Sequence, residues 1–450
     1  MSSRHLLVLT ALTTLFIARA SAAQAPSAES LADLLLHDKV EQVETRLATA
    51  PETAENTAFR GEVEYRKGHF EQAEKLYRAA LQMAETTARA HFGLGKLALA
   101  RMRLTEAVQF FSRAVELEPQ EPLYHFYISD ALMAGRDVTE SKRHLQEYLK
   151  LNPPDPDRIA MARATLDTYG AFTGVEIGEV DSPLRPSPIR VEKVLSLLFT
   201  EVYINGTGPY RFLVDTGATQ TVLSNRLAKT LGLKQITSNI MHGVGGDGKL
   251  ESPIYRADSL KIGDVTVRNL PLGTLGNPLL DQLMDGIVGT TLFSDFVVTI
   301  NYPQSQIELT HEAPATGTAI PAWSFSGLLL VPVQVNNTFS GNFLIDTGAD
   351  NTLLAHAMAN DLGINKDTPG ALLNLPIGGI GGLDDGVLLV PSVTLQTPFE
   401  RKRFETLMSI ELTGMSSLIQ TELSGVIGYD MLRNYRVTLD YQRAEIRLGN

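Results

Sequence analysis

Two hydrophobic rhythms divide the chain. From about residue 30 to 152, apolar and small residues recur at three- and four-residue spacing, with Gly and Pro between the runs. That is the period of helices buried on one face. From Ile189 onward the runs are short and rich in β-branched and aromatic residues, as at 197–204, 210–214 and 296–300, with Gly, Asn or Pro between them. This predicts strands and few helices. Between the two regions, Pro153-Pro154-Asp155-Pro156 stops the preceding helix. Residues 158–169 then predict one more helix, and the Pro-rich stretch 182–188 is extended and barred from a central strand.

The helical part has a longer period. Gly61, Ala73, Tyr77 and Ala80 are matched 34 residues on by Gly95, Ala107, Phe111 and Ala114, and again by Ser129, Ser141, Leu145 and Tyr148. Small residues let two helices of a hairpin approach closely, and the aromatic fills the gap between hairpins. Pro119 and Pro153 close the second and third copies. This region resembles the tetratricopeptide repeat, with three units and a capping half-unit at 29–51.

The strand-rich part is duplicated. Phe212-Leu213-Val214-Asp215-Thr216-Gly217-Ala218 and Phe343-Leu344-Ile345-Asp346-Thr347-Gly348-Ala349 lie 131 residues apart. Leu231-Gly232-Leu233 and Leu362-Gly363-Ile364 keep that offset, and Gly243-Val244-Gly245-Gly246 answers Gly379-Ile380-Gly381-Gly382 at 136. Gly286-Ile287-Val288-Gly289 and Gly425-Val426-Ile427-Gly428 follow at 139, as do the segments 298–302 and 437–441. Four matches in one order imply one site built from two halves. The expected divisions are a leader at 1–22, repeats at 30–152, a linker at 153–190, a first lobe at 191–311, a linker at 312–324 and a second lobe at 325–450.

Each lobe resembles a retropepsin-type aspartic protease subunit, on the hydrophobic strand into Asp-Thr-Gly-Ala, the Gly-rich segment and the apolar pair before Gly. Ile377-Gly378-Gly379-Ile380-Gly381-Gly382 is similar to a retroviral protease flap tip. The resemblance covers about 190–450 and implies a bilobal β-barrel protease behind an α-helical repeat solenoid. Asp215 and Asp346 are the expected catalytic pair. Two carboxylates about 3 Å apart cannot both ionise, so the pair holds one proton, the dyad being a standard worked case of this rule. One member acts as base toward water and the other donates to the scissile carbonyl. The roles belong to the pair and not to either residue. The resemblance further implies that Thr216 and Thr347 lock the two loops together. Gly217 and Gly348 are expected to permit the tight turn that brings N–H groups to the carboxylates. Gly243, Val244, Gly245, Gly246, Gly379, Ile380, Gly381 and Gly382 are expected to form flaps over an extended peptide. The lobes are not equivalent, for Thr219 stands where the second has Asp350, and neither flap tip carries the Tyr of pepsins.

Composition narrows the alternatives. A net charge of −12 argues against nucleic acid as the main partner. Arg4 and His5, an apolar run over 6–18 and Ala20-Ser21-Ala22 read as a secretory leader, and no run is long enough to span a bilayer. Periplasm or secretion is therefore expected. The absence of Cys excludes disulfides and thiol chemistry. No metal or cofactor is expected, since the nine His lack ligand spacing. Gly243-x-Gly245-x-x-Gly248 does not open a helix and is no dinucleotide site. Asn205-Gly206-Thr207 and Asn336-Asn337-Thr338 read as turns, and no G-x-S-x-G motif supports a serine hydrolase. The expectation is an aspartic endopeptidase acting as a monomer, with peptide or protein substrate in the cleft and a protein partner on the repeats. The alternatives are a scaffold that binds peptides in the same cleft without cutting them, and a protease whose lobes pair with those of a second chain.

Overall fold

The computed structural model describes residues 29–183, 186–242, 249–275, 280–314, 317–373, 377–379, 382–384 and 386–449. Nine helices lead the described chain: α1 (Leu31–Leu36), α2 (Val40–Ala48), α3 (Ala54–Arg66), α4 (Phe70–Met83), α5 (Ala88–Ala100), α6 (Leu104–Leu117), α7 (Pro122–Ala134), α8 (Val138–Lys150) and α9 (Pro156–Ala171). The first helices of successive units start at 54, 88, 122 and 156, and the second helices at 70, 104 and 138. Both series step by 34.

Local chemistry sets these boundaries. Thr53 caps α3 by accepting from Asn56 N, and Asp137 caps α8 through Glu140 N. Pro122 and Pro156 occupy the first turns of α7 and α9 behind acidic caps, Glu121 and Asp155. The helix expected inside the linker is therefore the first helix of a fourth unit, in phase with the others. The turns inside the three complete units pass through positive φ at Gly68, Met102 and Arg136, again 34 apart.

Tyr77 shows why the small residues recur. A Cβ on Gly61 would lie 2.7 Å from its ring, and one on Gly93 of the next unit 2.2 Å. Phe111 stands in the same relation to Gly95, at 2.5 Å. Each aromatic thus fills a gap that only glycine leaves open.

The β region forms two lobes on a shared sheet. A nine-stranded sheet builds the first lobe and a seven-stranded sheet the second. A six-stranded sheet joins them, with Val297–Asn301 antiparallel to Arg436–Asp440 at its centre. Thr299 faces Thr438, and their buried hydroxyls are 2.9 Å apart. These residues are equivalent in the duplication, so the pseudo-twofold axis passes between them. The sheet's outer strands are also equivalent, Ile189–Arg190 at one edge and Ile320–Pro321 at the other. Pro321 is tolerated there because an edge strand can forgo a donor. Glu179–Asp181, ahead of the first lobe, adds a further edge strand against Val265–Thr274.

The repeats do not hang from a flexible tether. The turn of the first unit meets the second lobe: Asn342 Nδ2 donates to Gly68 O at 2.9 Å, Thr421 Oγ1 to Tyr65 O at 2.7 Å and Glu422 N to Arg66 O at 2.7 Å. The second turn meets the start of that lobe, where Arg101 donates to Ala322 O at 2.8 Å and stacks 3.3 Å from the Trp323 ring centre. Arg136, in the third, pairs with Asp295 of the first lobe. One edge of the stack therefore straddles both lobes. On the far side α9 packs along Lys234–His242, with Thr237 Oγ1 donating to Asp167 at 3.1 Å and Arg256 to Ala171 O at 2.6 Å.

Candidate active site

Each aspartate is delivered by the same three-strand arrangement. In the first lobe, Phe212, Leu213 and Val214 lie parallel to Gly286–Val288, which is antiparallel to Val222–Leu223. In the second, Phe343, Leu344 and Ile345 lie parallel to Gly425–Ile427, which is antiparallel to Leu353–Ala355. The chain leaves each strand at the aspartate. Asp215 N donates to Val288 O and Asp346 N to Ile427 O, both at 3.1 Å. The apolar segments thus lie beside the aspartate-bearing strands. Gly289 and Gly428 are required there, since a Cβ would fall 2.2 Å from Gln220 O and 2.5 Å from Asn351 O.

Across the seam the loops interlock. Thr216 N donates to Thr347 Oγ1 and Thr347 N to Thr216 Oγ1, both at 3.1 Å. Each hydroxyl then donates into the opposite strand, Thr216 to Ile345 O at 2.9 Å and Thr347 to Val214 O at 3.0 Å. Both threonines are buried, so every donor and acceptor is satisfied without water.

The two carboxylates meet in this frame and share a hydrogen bond. Gly217 N donates to Asp215 Oδ1 at 2.8 Å and Gly348 N to Asp346 Oδ1 at 2.7 Å. The glycines do not need a left-handed backbone, contrary to a reading from turn chemistry alone. Their requirement is close approach: a Cβ on Gly217 would lie 2.6 Å from Asp346 Cγ, and one on Gly348 2.6 Å from Asp215 Cγ. Each lobe's glycine makes room for the other lobe's acid.

Asp215 is buried, and Asp346 keeps a partly exposed edge. Burial pushes both carboxyls up, and the neighbouring Asp215 charge raises Asp346 further. Backbone N–H groups of residues 217 and 218, and of 348 and 349, pull the other way. The pair therefore retains a proton well above the usual carboxylate range.

Two residues near the dyad lay beyond the sequence reading as site groups. Tyr302 and Tyr441 are equivalent in the duplication and buried, and their hydroxyls have no hydrogen-bond partner. Burial raises both phenols, and Asp346 adds to Tyr302 as Asp215 adds to Tyr441. Their place at the ends of the matched 298–302 and 437–441 segments was the only signal. Asp350, noted only as a departure between lobes, accepts from Ser196 across the seam.

Of the expected flap residues, Gly379 and Gly382 pair within a short ribbon of Ile377–Gly379 and Gly382–Asp384. Gly243, Val244, Gly245, Gly246, Ile380 and Gly381 lie outside the described residues, as does the expected leader. In the first lobe Lys234–His242 and Lys249–Ile262, which flank the flap segment, form one long antiparallel pair. Among the described residues no group of three or more His, Asp or Glu is placed to hold a metal, and no helix is long and apolar enough to cross a membrane.

Comparison with known proteins agrees with this geometry. The aspartyl protease family model matches residues 200–292 and 331–378. A tetratricopeptide repeat model matches residues 60–122. No curated protein matches the chain. Among solved structures, the Yersinia enterocolitica type III secretion translocator chaperone SycD, in an alternative dimer, is 18% identical and is covered over 96% of its length by 31% of this chain. Its TM-score of 0.24 is too low to support an argument. The chain thus carries a tetratricopeptide-repeat N-terminal region followed by a retropepsin-like domain matching the aspartyl protease family.

Proposed function

We propose that this chain is an exported aspartic endopeptidase, complete within one molecule, whose repeats recruit a protein substrate. The observation that carries the reading is the pair of carboxylates, Asp215 and Asp346, hydrogen-bonded at the seam inside the crosswise threonine bonds. One proton on the pair leaves a charged oxygen to take a proton from water and a protonated one to polarise the scissile carbonyl. Attack by that water gives a tetrahedral diol. Return of a proton to the leaving nitrogen then breaks the C–N bond. Export follows from the charge, apolar run and Ala-Ser-Ala of residues 4–22.

The test is digestion of a peptide library across pH 3 to 8 by the full chain, beside Asp215→Asn and Asp346→Asn. Cleavage by the parent and none by either variant is expected. Equal cleavage by parent and variants would refute the assignment, and no cleavage by any would favour a peptide-binding scaffold. Deleting the repeats is no clean test of recruitment, because Tyr65, Phe70 and Tyr77 share one apolar core with Trp323, Phe325 and Leu344.

A further inference from the structure

The first helices of the repeat units present one position per unit at 34-residue spacing: Glu62 on α3, Lys96 on α5, Asp130 on α7 and Ala164 on α9. The first two close on each other. Lys96 Nζ lies 2.7 Å from both Glu62 oxygens, and Tyr77 OH donates to Glu62 at 3.0 Å. Arg66 adds a contact at 3.4 Å, and the Lys96 ammonium stands 3.8 Å from the Tyr65 ring centre. Burial alone would raise the Glu62 carboxyl, yet Lys96 and Arg66 hold it at about 2. A second pair at the same spacing runs alongside, Arg89 Nε to Glu55 at 3.0 Å. Along this row, a carboxylate of one unit takes the cation of the next.

Asp130 breaks the row. Its successor is Ala164, a methyl group with no charge to give. Among the described residues Asp130 makes no hydrogen bond or ion pair, and its side chain reaches solvent. The nearby cations are committed elsewhere, Lys96 to Glu62 and Arg158 to Asp155 at 2.8 Å. Tyr127, one turn earlier on α7, stands half-buried on the same helix. The protein around Asp130 pushes its carboxyl up to about 7, with Arg158 acting against the rise. A carboxylate deprived of part of its hydration and given no partner is best satisfied by a cation from outside.

We propose that Asp130 receives a lysine or arginine side chain of a bound peptide segment, in the place where the repeat itself supplies Lys96 to Glu62 one unit earlier. The inference rests on the reading that the repeats recruit substrate, and it names the chemistry by which they do so: a basic residue in an exposed segment of the client. The complement is one of charge and position. The groups that face Asp130 are Tyr127 on its own helix and Arg158 on α9, with the closed Lys96–Glu62 pair beyond on α5 and α3.

The test uses the full chain carrying Asp215→Asn, so that bound peptides stay intact. Immobilised pools of randomised 15-residue peptides are prepared with the central residue fixed as Lys, Arg, citrulline or Glu. Lys and Arg pools should retain at least fivefold more protein than citrulline or Glu pools. Adding Asp130→Asn should remove the preference, Asp130→Glu should keep it, and lowering the pH from 8 to 6 should weaken it as the carboxylate takes a proton. Equal retention on all pools, or a basic preference that survives Asp130→Asn, overturns the proposal. Cleavage by the unsubstituted chain is scored separately, so failure here leaves the dyad reading standing, and failure there leaves this one.

Discussion

The two lobes share a catalytic loop almost atom for atom, and they differ in what covers them. In the first lobe Phe199, Leu213, Ala218, Val222, Met284 and Ile287 form a small apolar cluster of their own. Their counterparts at the duplication offsets, Leu330, Leu344, Ala349, Leu353, Leu423 and Val426, belong to a cluster that runs on into Tyr65, Phe70 and Tyr77 of the repeats. The cause lies in one strand. Glu192 and Val194 in the first lobe stand in solvent, whereas the equivalent Trp323 and Phe325 are buried. Phe70 lies 4.4 Å from the Trp323 ring and 5.8 Å from that of Phe325. A duplicated fold can keep its chemistry symmetric while one copy gives its outer face to another domain.

That contrast is sharpest at positions 192 and 323. Trp323→Ala removes a buried ring, its stacking on Arg101 and its contact with Phe70, and should cost about 3–5 kcal/mol. Glu192→Ala, at the equivalent exposed place, should stay within about 0.5 kcal/mol, even allowing for its surface pair with Arg211. Chemical denaturation of both proteins, followed by far-UV signal, measures the difference. Equal costs would mean that the repeats are not part of the second lobe's core.

The catalytic loops should behave in the opposite way. Gly217→Ala and Gly348→Ala each place a methyl group 2.6 Å from the other lobe's carboxyl carbon. The carboxylates must then separate, and displacement on the order of 1 Å costs about 100-fold in rate. Both variants should lose kcat/KM to a similar degree, measured on one peptide found in the library digestion. A large loss from one and little from the other would break the symmetry of the site.

Much of this was legible in the residues. The 34-residue phase of small and aromatic positions appears because Tyr77 and Phe111 need Gly61, Gly93 and Gly95 beside them. The duplication appears because both loops need Asp, Thr and Gly in one order to satisfy their crosswise bonds. The fourth repeat helix hid because its small residues fall off the pattern, and only Pro122 with Pro156, and Glu121 with Asp155, keep the phase. Docking of the repeats hid because Trp323 and Phe325 read as ordinary strand core, and nothing in one sequence says which domain a buried ring will meet. The need for Gly217 and Gly348 was visible, but not its reason, which is the acid arriving from 131 residues away.

The smallest effect tests the dyad as an electrostatic unit. Burial raises both carboxyls, and Asp215 raises Asp346 further, so the folded chain binds a proton that the unfolded chain releases at neutral pH. For a carboxyl raised on folding, the stabilising contribution is full below the unfolded value of about 4 and is lost as pH rises through the folded value. The native pair is therefore a liability at pH 7 and not at pH 3. Asp346→Asn keeps the shape and removes one of the two like charges. It should abolish cleavage yet raise Tm at pH 7 by a few degrees, on the order of 2 °C, as is common where a strained site is relieved. Scanning calorimetry of parent and variant at pH 3 and pH 7 provides the comparison. The gain should shrink toward zero at pH 3, where both carboxyls are protonated in either state. A gain of the same size at both pH values would trace the effect to packing and remove the electrostatic account of the pair.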